Sequence, residues 1–228
     1  ESYDHEEFLE KARKGIHTII RESAVTKFLK ENVRAITEGA PGMARHTSFC
    51  SDDVNARGIL KEGHIDHMIH LAIAAGVEPM TAIQMATINA AEAYQIDDHV
   101  GSIAPGKDAD ILLVDQPGTF QVETVISKGT LVTENGENKF HYVIPERTDD
   151  LLHTVQHTPL TADDFAYHVD LDEGTAVVET INSIGPFMRK RRDVELEVRG
   201  GIVCPSAEKD VALVSVIERY GLNGNMSK

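Results

Sequence analysis

Apolar and polar positions alternate in two rhythms along the first hundred residues. Ile65, Met68, Ile69 and Ala72 recur at i, i+3, i+4 and i+7, which predicts a helix over 64–75, stopped by Gly76. Pro79 opens a second helix to about Tyr94 whose apolar residues lie on most sides, so it is expected to be well buried. Nearer the start, Asp4 is placed to cap a helix that carries Glu6 and Glu7 in its first turn and packs through Phe8, Leu9 and Ala12, ending near Gly15. A further helical stretch is predicted from about Val25 to Glu38, stopped by Gly39-Ala40-Pro41-Gly42. Between the helices lie short apolar runs that read as strands. Ile16 to Ile20 ends in Arg21-Glu22, and Thr47 to Cys50 runs through Ser51 into Asp52-Asp53, with helix signals resuming over Val54–Leu60.

Strand and helix in alternation imply a parallel sheet with helices outside it. Such a sheet keeps its chemistry at the carboxyl ends of its strands, which is where Arg21, Glu22, Asp52 and Asp53 fall. A strand does not need carboxylates to be stable. Asp52 and Asp53 therefore suit metal ligation or proton transfer, and equally suit the simpler role of capping the next helix. His64, His67 and His70 lie three apart, but at 100° per residue they fan over about 120° opposite the apolar stripe. A solvated face is the better reading for His67 and His70, while His64 stands beside the carboxylate loop.

From Gly101 the pattern changes. A turn-rich stretch leads to Ala109–Asp115, a short strand bounded by acids and expected to be buried. Gln121–Ile126 and Thr130–Thr133 flank Ser127-Lys128-Gly129 as a hairpin. Phe165–Leu171, Thr175–Ile181, Val194–Val198 and Val211–Ile217 are further strand candidates in a mixed unit beginning near Pro145 to Leu152. The expected division is 1–98, 99–146 and 147–228. Two parallel strands do not make a sheet by themselves and a βα barrel needs eight, so most of the sheet is expected upstream of Glu1.

Charge narrows the functional classes. With 22 Lys and Arg against 37 Asp and Glu, the net charge is −15, which argues against general affinity for nucleic acid or an anionic membrane. The run Arg189-Lys190-Arg191-Arg192 is a local exception that reads as a solvated turn feeding the alternation Val194-Glu195-Leu196-Glu197-Val198. No apolar run is long enough to span a bilayer, and Cys50 and Cys204, far apart and without metal-ligand spacing, suit a reducing compartment; a cytoplasmic protein is expected.

Tyr3-Asp4-His5-Glu6, Ile20-Arg21-Glu22-Ser23-Ala24, Phe49-Cys50-Ser51-Asp52-Asp53 and Glu62-Gly63-His64-Ile65-Asp66 resemble, in order and spacing, the bacterial and archaeal adenine deaminases of the metal-dependent amidohydrolase superfamily. Gly101 to Asp115 is similar to the superfamily's return from its barrel, G-x-I-x-x-G-x-x-A-D-[IL]-x-x-x-D, and residues 165–220 are loosely similar to the C-terminal domain of adenine deaminases. The resemblance implies an α/β fold: the end of a (β/α)8 amidohydrolase barrel, then a small β domain and a mixed α+β C-terminal domain. It implies hydrolysis of adenine to hypoxanthine and ammonia, with His5 a metal ligand, and Asp52 both a ligand and the group that exchanges a proton with the attacking water. Arg21, Glu22, Asp53 and His64 become candidates for holding substrate or supporting the ligands. The implied cofactor is a divalent metal, Mn or Fe before Zn, dinuclear in the full-length parent; the implied partner is a small molecule, adenine, with a homodimer compatible.

Tyr3 stands where relatives carry Ser or Thr. The H-x-H, the bridging glutamate and the further histidine of the family's metal centre have no counterparts in these residues. Alone, the chain is expected neither to bind metal tightly nor to catalyse. Another amidohydrolase, such as a cyclic-amide hydrolase or a deacetylase, and a non-catalytic binding module are the other readings.

Overall fold

The computed structural model describes residues 1–146, 152–185 and 188–228. Residues 147–151, on which part of the expected start of the third unit falls, lie outside the described residues. The chain divides into two compact units, Glu1–Tyr142 and Val143–Lys228.

In the first unit the order is α1 (His5–Arg13), β1 (Thr18–Arg21), α2 (Leu29–Arg34), β2 (Thr47–Cys50), α3 (Ala56–Glu62), α4 (Ile65–Ala74), α5 (Pro79–Ala86) and α6 (Ile88–Ala93), followed by β3 (Ile111–Val114), β4 (Val122–Ser127), β5 (Thr130–Glu134) and β6 (Glu137–Asn138). β1 and β2 pair in parallel, Thr18 opposite Thr47 and Arg21 opposite Cys50. Helices pack against this pair through a core that includes Phe8, Ile20, Leu29, Val33, Met68 and Met85.

Local signals place several elements where the sequence puts them. Asp4 accepts a hydrogen bond from the Glu7 amide and caps α1. The face of α4 that buries Met68, Ile69 and Ala72 is the apolar stripe. β4 and β5 form the expected hairpin, turning on Lys128 and Gly129, both with positive φ as a tight turn of this kind requires.

Other expectations are corrected. The helix expected from Val25 starts at Leu29, because Ser23 and Thr26 close a turn through the Ser23 amide and their side chains, and the buried Glu22 carboxylate then accepts from the Leu29 amide. After α2 the chain continues as a π-helical turn, Ala35–Gly39, and Pro41 opens a 3-10 turn, Pro41–His46. The single helix expected over Pro79–Tyr94 breaks at Thr87 into α5 and α6. That break lets the buried Asn89 amide donate to the carbonyls of Ala44 and Thr47 at 2.8 and 3.0 Å, tying α6 to the entry of β2. Burial there is also less than expected, with Met80 and Tyr94 exposed. β3 is half exposed at Leu112 and Leu113 rather than buried, since it is the edge strand of the antiparallel sheet β3-β4-β5-β6.

In the second unit β7 (Glu173–Ser183), β8 (Arg189–Arg199) and β9 (Ile202–Val203) form an antiparallel sheet, and β10 (Val216–Ile217) pairs with β11 (Met226–Ser227). Val194, Leu196 and Val198 face its core in strict alternation with exposed Glu195 and Glu197. The four bases from Arg189 to Arg192 are solvated, but they form the first part of β8 and not a turn: they lie opposite Ser183, Asn182, Ile181 and Thr180. Phe165–Leu171 forms no strand. A 3-10 turn at Asp163–Phe165 is followed by one antiparallel bridge, His168 to Ile202. Of Val211–Ile217 only Val216 and Ile217 form a named strand. Among the described residues the named elements of this unit are strands and a 3-10 turn, and Leu152 is helical beside residues outside the described ones.

Candidate active site

Parallel pairing brings the carboxyl ends of β1 and β2 to the same edge, and the register sets Arg21 beside Cys50, two residues before Asp52. The Arg21 side chain is 9% exposed. Its Nη1 lies 2.8 Å from Asp52 Oδ2 and 3.4 Å from Glu1 Oε2, and its Nη2 lies 3.4 Å from Asp53 Oδ1. Burial works to lower the Arg21 pKa, but the hydrogen bond it donates to Glu1 and the charges of Asp52, Glu1 and Asp53 outweigh it and hold the guanidinium protonated. Asp52 has φ 46°, a left-handed backbone uncommon for a residue with a side chain. Neither aspartate caps α3. Asn55 does, its side chain accepting from the Gly58 amide, and the capping role open to Asp52 and Asp53 in the sequence is thereby closed.

The Asp53 carboxyl is held below its ordinary pKa by a hydrogen bond from Ser23 and by the Arg21 charge. Glu22, 8% exposed, accepts from the Leu29 amide at 3.1 Å and lies 3.6 Å from Lys27 Nζ, so its charge is met within its own loop. His64 Nε2 is 2.7 Å from Ser51 Oγ, the residue before Asp52. Glu22, Ser23, Lys27, Asn55 and His64 line a cleft of about 320 Å³ that Asp52, Asp53, Arg21 and His5 do not line.

The solvated histidine face is corrected. His67 is partly buried, 3.8 Å from Glu62, and His70 is partly buried against Phe120, whose carbonyl lies 3.2 Å from Nε2. Phe120, in the loop between β3 and β4, and Glu62, at the end of α3, cover a face that periodicity alone leaves open. His5 opens α1, and its Nδ1 is buried without a hydrogen-bond partner. Among the described residues, the group of three or more donors whose ligand atoms lie within 4.8 Å of one another is Glu1, Cys50 and Asp52, and His5 is not in it. Burial pushes the Cys50 thiol up, away from the thiolate.

Ser23, Ser51 and Glu1 were not singled out by sequence reasoning. Ser23 and Ser51 adjoin the charged residues in I-R-E-S and F-C-S-D-D, and that adjacency is the only signal they carry. Nothing in the sequence pattern brings Glu1 to Arg21.

The Amidohydrolase family model matches residues 8–132. The chain belongs to the amidohydrolase family. All of this amidohydrolase chain aligns over 227 residues with Adenine deaminase 1 of Latilactobacillus sakei subsp. sakei (strain 23K) at 55% identity and with Adenine deaminase 1 of Desulfotalea psychrophila (strain LSv54 / DSM 12343) at 53%, covering 38% of each. It is 45% identical to Adenine deaminase 4 of Rhizobium meliloti (strain 1021), with 97% of this chain and 37% of that protein aligned. The chain thus spans 38% of the length of the first two relatives.

His5 and Asp52 carry donor atoms of the chemistry that a divalent metal of the kind this family implies would take, but among the described residues His5 is not in the converging group of Glu1, Cys50 and Asp52. His5 offers a buried imidazole nitrogen that lacks a hydrogen-bond partner, and Asp52 offers a carboxylate that is 40% exposed, its Oδ2 2.8 Å from Arg21 Nη1. In the amidohydrolase chain these are two donors of the right chemistry, where a catalytic centre uses at least three from protein.

Proposed function

We propose that the whole protein to which this chain belongs is an adenine deaminase, hydrolysing adenine and water to hypoxanthine and ammonia, and that this chain is its carboxyl-terminal part. The observation that carries this reading is that I-R-E-S and F-C-S-D-D, within a chain 55% identical throughout to a protein named Adenine deaminase 1, converge on one buried guanidinium. In this reading residues 1–98 complete a (β/α)8 barrel begun elsewhere in the protein, followed by a small β domain over 99–146 and a C-terminal domain over 147–228.

His5 and Asp52 hold a divalent metal, Mn or Fe, with further ligands from the rest of the protein completing a dinuclear centre. When bound, such a cation lowers the pKa of the attacking water and so makes it a nucleophile near neutral pH. Asp52 accepts the proton that this water loses on adding to C6 of adenine. It then delivers a proton to the amine at that carbon, which leaves as ammonia. Asp53, tied to Ser23 and Arg21, supports the loop that carries Asp52, and Glu22 fixes the start of α2 beneath it. His64 braces the same loop through Ser51. The partner is a small molecule, the protein functions in the cytoplasm with Cys50 and Cys204 as free thiols, and a homodimer is compatible with this reading.

A substrate panel tests the reading. The Mn-loaded whole protein is expected to release ammonia from adenine and to leave cyclic amides and N-acetyl sugars intact. Turnover of either of those, with adenine untouched, would move the protein to another branch of the amidohydrolases.

A further inference from the structure

α3 buries none of its residues, whereas α1, α2, α4, α5 and α6 each bury at least one. Its Ile59 and Leu60 are exposed, while Arg57, Gly58, Lys61 and Glu62 line the cleft of about 320 Å³ whose β1 side carries Glu22, Ser23 and Lys27. A helix of seven residues is marginal by itself, so with no side chain buried its place is set by its two ends and by what Glu62 reaches. At the start, the Val54 amide donates to the Asp52 carbonyl at 3.0 Å, and Asn55 caps the helix. At the end, Gly63 has φ 103°, and a Cβ there would lie 2.7 Å from Asp66 Oδ2. Asp66 is not free to give way, because its Oδ1 accepts from the His64 amide at 2.7 Å. Between these ends, Glu62 Oε2 lies 3.3 Å from Lys27 Nζ and 3.8 Å from His67 Nε2.

We propose that residues 54–63 form a lid over this cleft, swinging on Gly63 and latched by Glu62 to Lys27 and His67, which opens to admit the substrate and closes over it. That the substrate is adenine rests on the function read above. The cleft lies at the carboxyl ends of β1 and β2, the edge at which that reading puts the reaction. The latch is a weak one: the Lys27 and Glu62 side chains are 51% and 53% exposed, and an ion pair so solvated shifts an opening equilibrium only a few-fold. A closed state favoured a few-fold suits a lid, since a strong latch would hold the substrate out. Gly63 supplies the joint, because backbone at its φ is open to glycine and strained for a residue with a Cβ.

The test is hydrogen–deuterium exchange in the whole protein, with hypoxanthine, the product, as a static ligand and with KM and kcat for adenine measured alongside. In the free wild type, amides 59–63 are expected to exchange at least about tenfold faster than amides 69–72 of α4, and saturating hypoxanthine to slow them at least about threefold. Glu62→Gln is expected to speed exchange at 59–63 about threefold, to leave 69–72 unchanged, and to raise KM about threefold with kcat within about twofold of wild type. A helix that merely decorated the surface would show neither the protection by hypoxanthine nor the change in KM. Gly63→Ala is expected to raise KM more than Glu62→Gln does, because the strained joint keeps the lid from closing. Exchange at 59–63 as slow as in α4 would mean that the rest of the protein packs over this helix, and overturns the proposal. Exchange that hypoxanthine leaves unchanged in a protein that turns adenine over also overturns it, as does Glu62→Gln with wild-type exchange and wild-type KM. A protein that leaves adenine intact while Glu62→Gln still speeds exchange at 59–63 overturns only the substrate reading.

Discussion

A side chain that satisfies one backbone group can fix where an element begins, and Glu78 does so for α5. Its carboxylate accepts from the Thr81 amide at 2.8 Å, and hydrogen bonds from the Met80 and Thr81 amides hold its pKa below the ordinary value of 4.5. A carboxyl whose folded pKa is depressed contributes stability that is fully present above the unfolded value and is lost as pH falls through the folded one. Glu78→Gln is therefore expected to lower the melting temperature at neutral pH, with the difference from wild type closing below about pH 4; thermal melts of both proteins from pH 7 to pH 3 measure it. Asp110 and Asp115 show the same economy. Asp110 accepts from the Lys128 amide at 2.7 Å and Asp115 from the Gln121 amide at 2.8 Å, so the acids bounding β3 hold turns of its own sheet. The A-D and terminal D of the return pattern are thus accounted for by local folding and need no part in the chemistry.

Packing between elements sets a different scale of effect. Gly101 and Gly106 have nearly the same backbone, φ 88° and 89°, but a Cβ on Gly101 would lie 2.6 Å from Ala91 Cβ, whereas one on Gly106 would meet nothing within 4 Å. Gly106→Ala is expected to cost about 1 kcal/mol for the left-handed backbone alone, and Gly101→Ala clearly more, because the loop must leave α6. Phe8, fully buried where α1 meets the core, is expected to cost about 3–5 kcal/mol on replacement by Ala. Urea denaturation at constant m-value orders all three. The same contrast explains what the sequence made legible among the elements. Asp4 and the stripe from Ile65 to Ala72 are set within one or two turns of chain, so spacing reveals them. The start of α2 depends on Glu22 reaching the Leu29 amide, and the break at Thr87 depends on Asn89 reaching carbonyls more than forty residues away. The basic run of β8 alternates no hydrophobicity, and its strand identity comes from its partner β7.

For the molecule as a whole, the −15 charge argues against polyanionic partners, in keeping with the small-molecule substrate proposed above. The carboxylate pair was legible as following a strand end that parallel pairing sets beside Arg21, because parallel strands place their carboxyl ends together. What the sequence left open was whether the pair merely capped α3, and Asn55 resolves that by doing so itself. The buried guanidinium that gathers the pair, and the loop contacts of Ser23 and Ser51, depend on tertiary geometry that no spacing encodes. In the proposed reading His5 and Asp52 are two donors of a larger centre, so the whole protein is the proper subject of the deciding measurement. That measurement is adenine loss and ammonia release by the Mn-loaded whole protein as wild type, Asp52→Ala and Asp53→Ala. With Asp52 as ligand and proton carrier, Asp52→Ala is expected to lose at least about 10³-fold in kcat/KM and Asp53→Ala about tenfold. An Asp52→Ala protein as active as wild type would contradict the account.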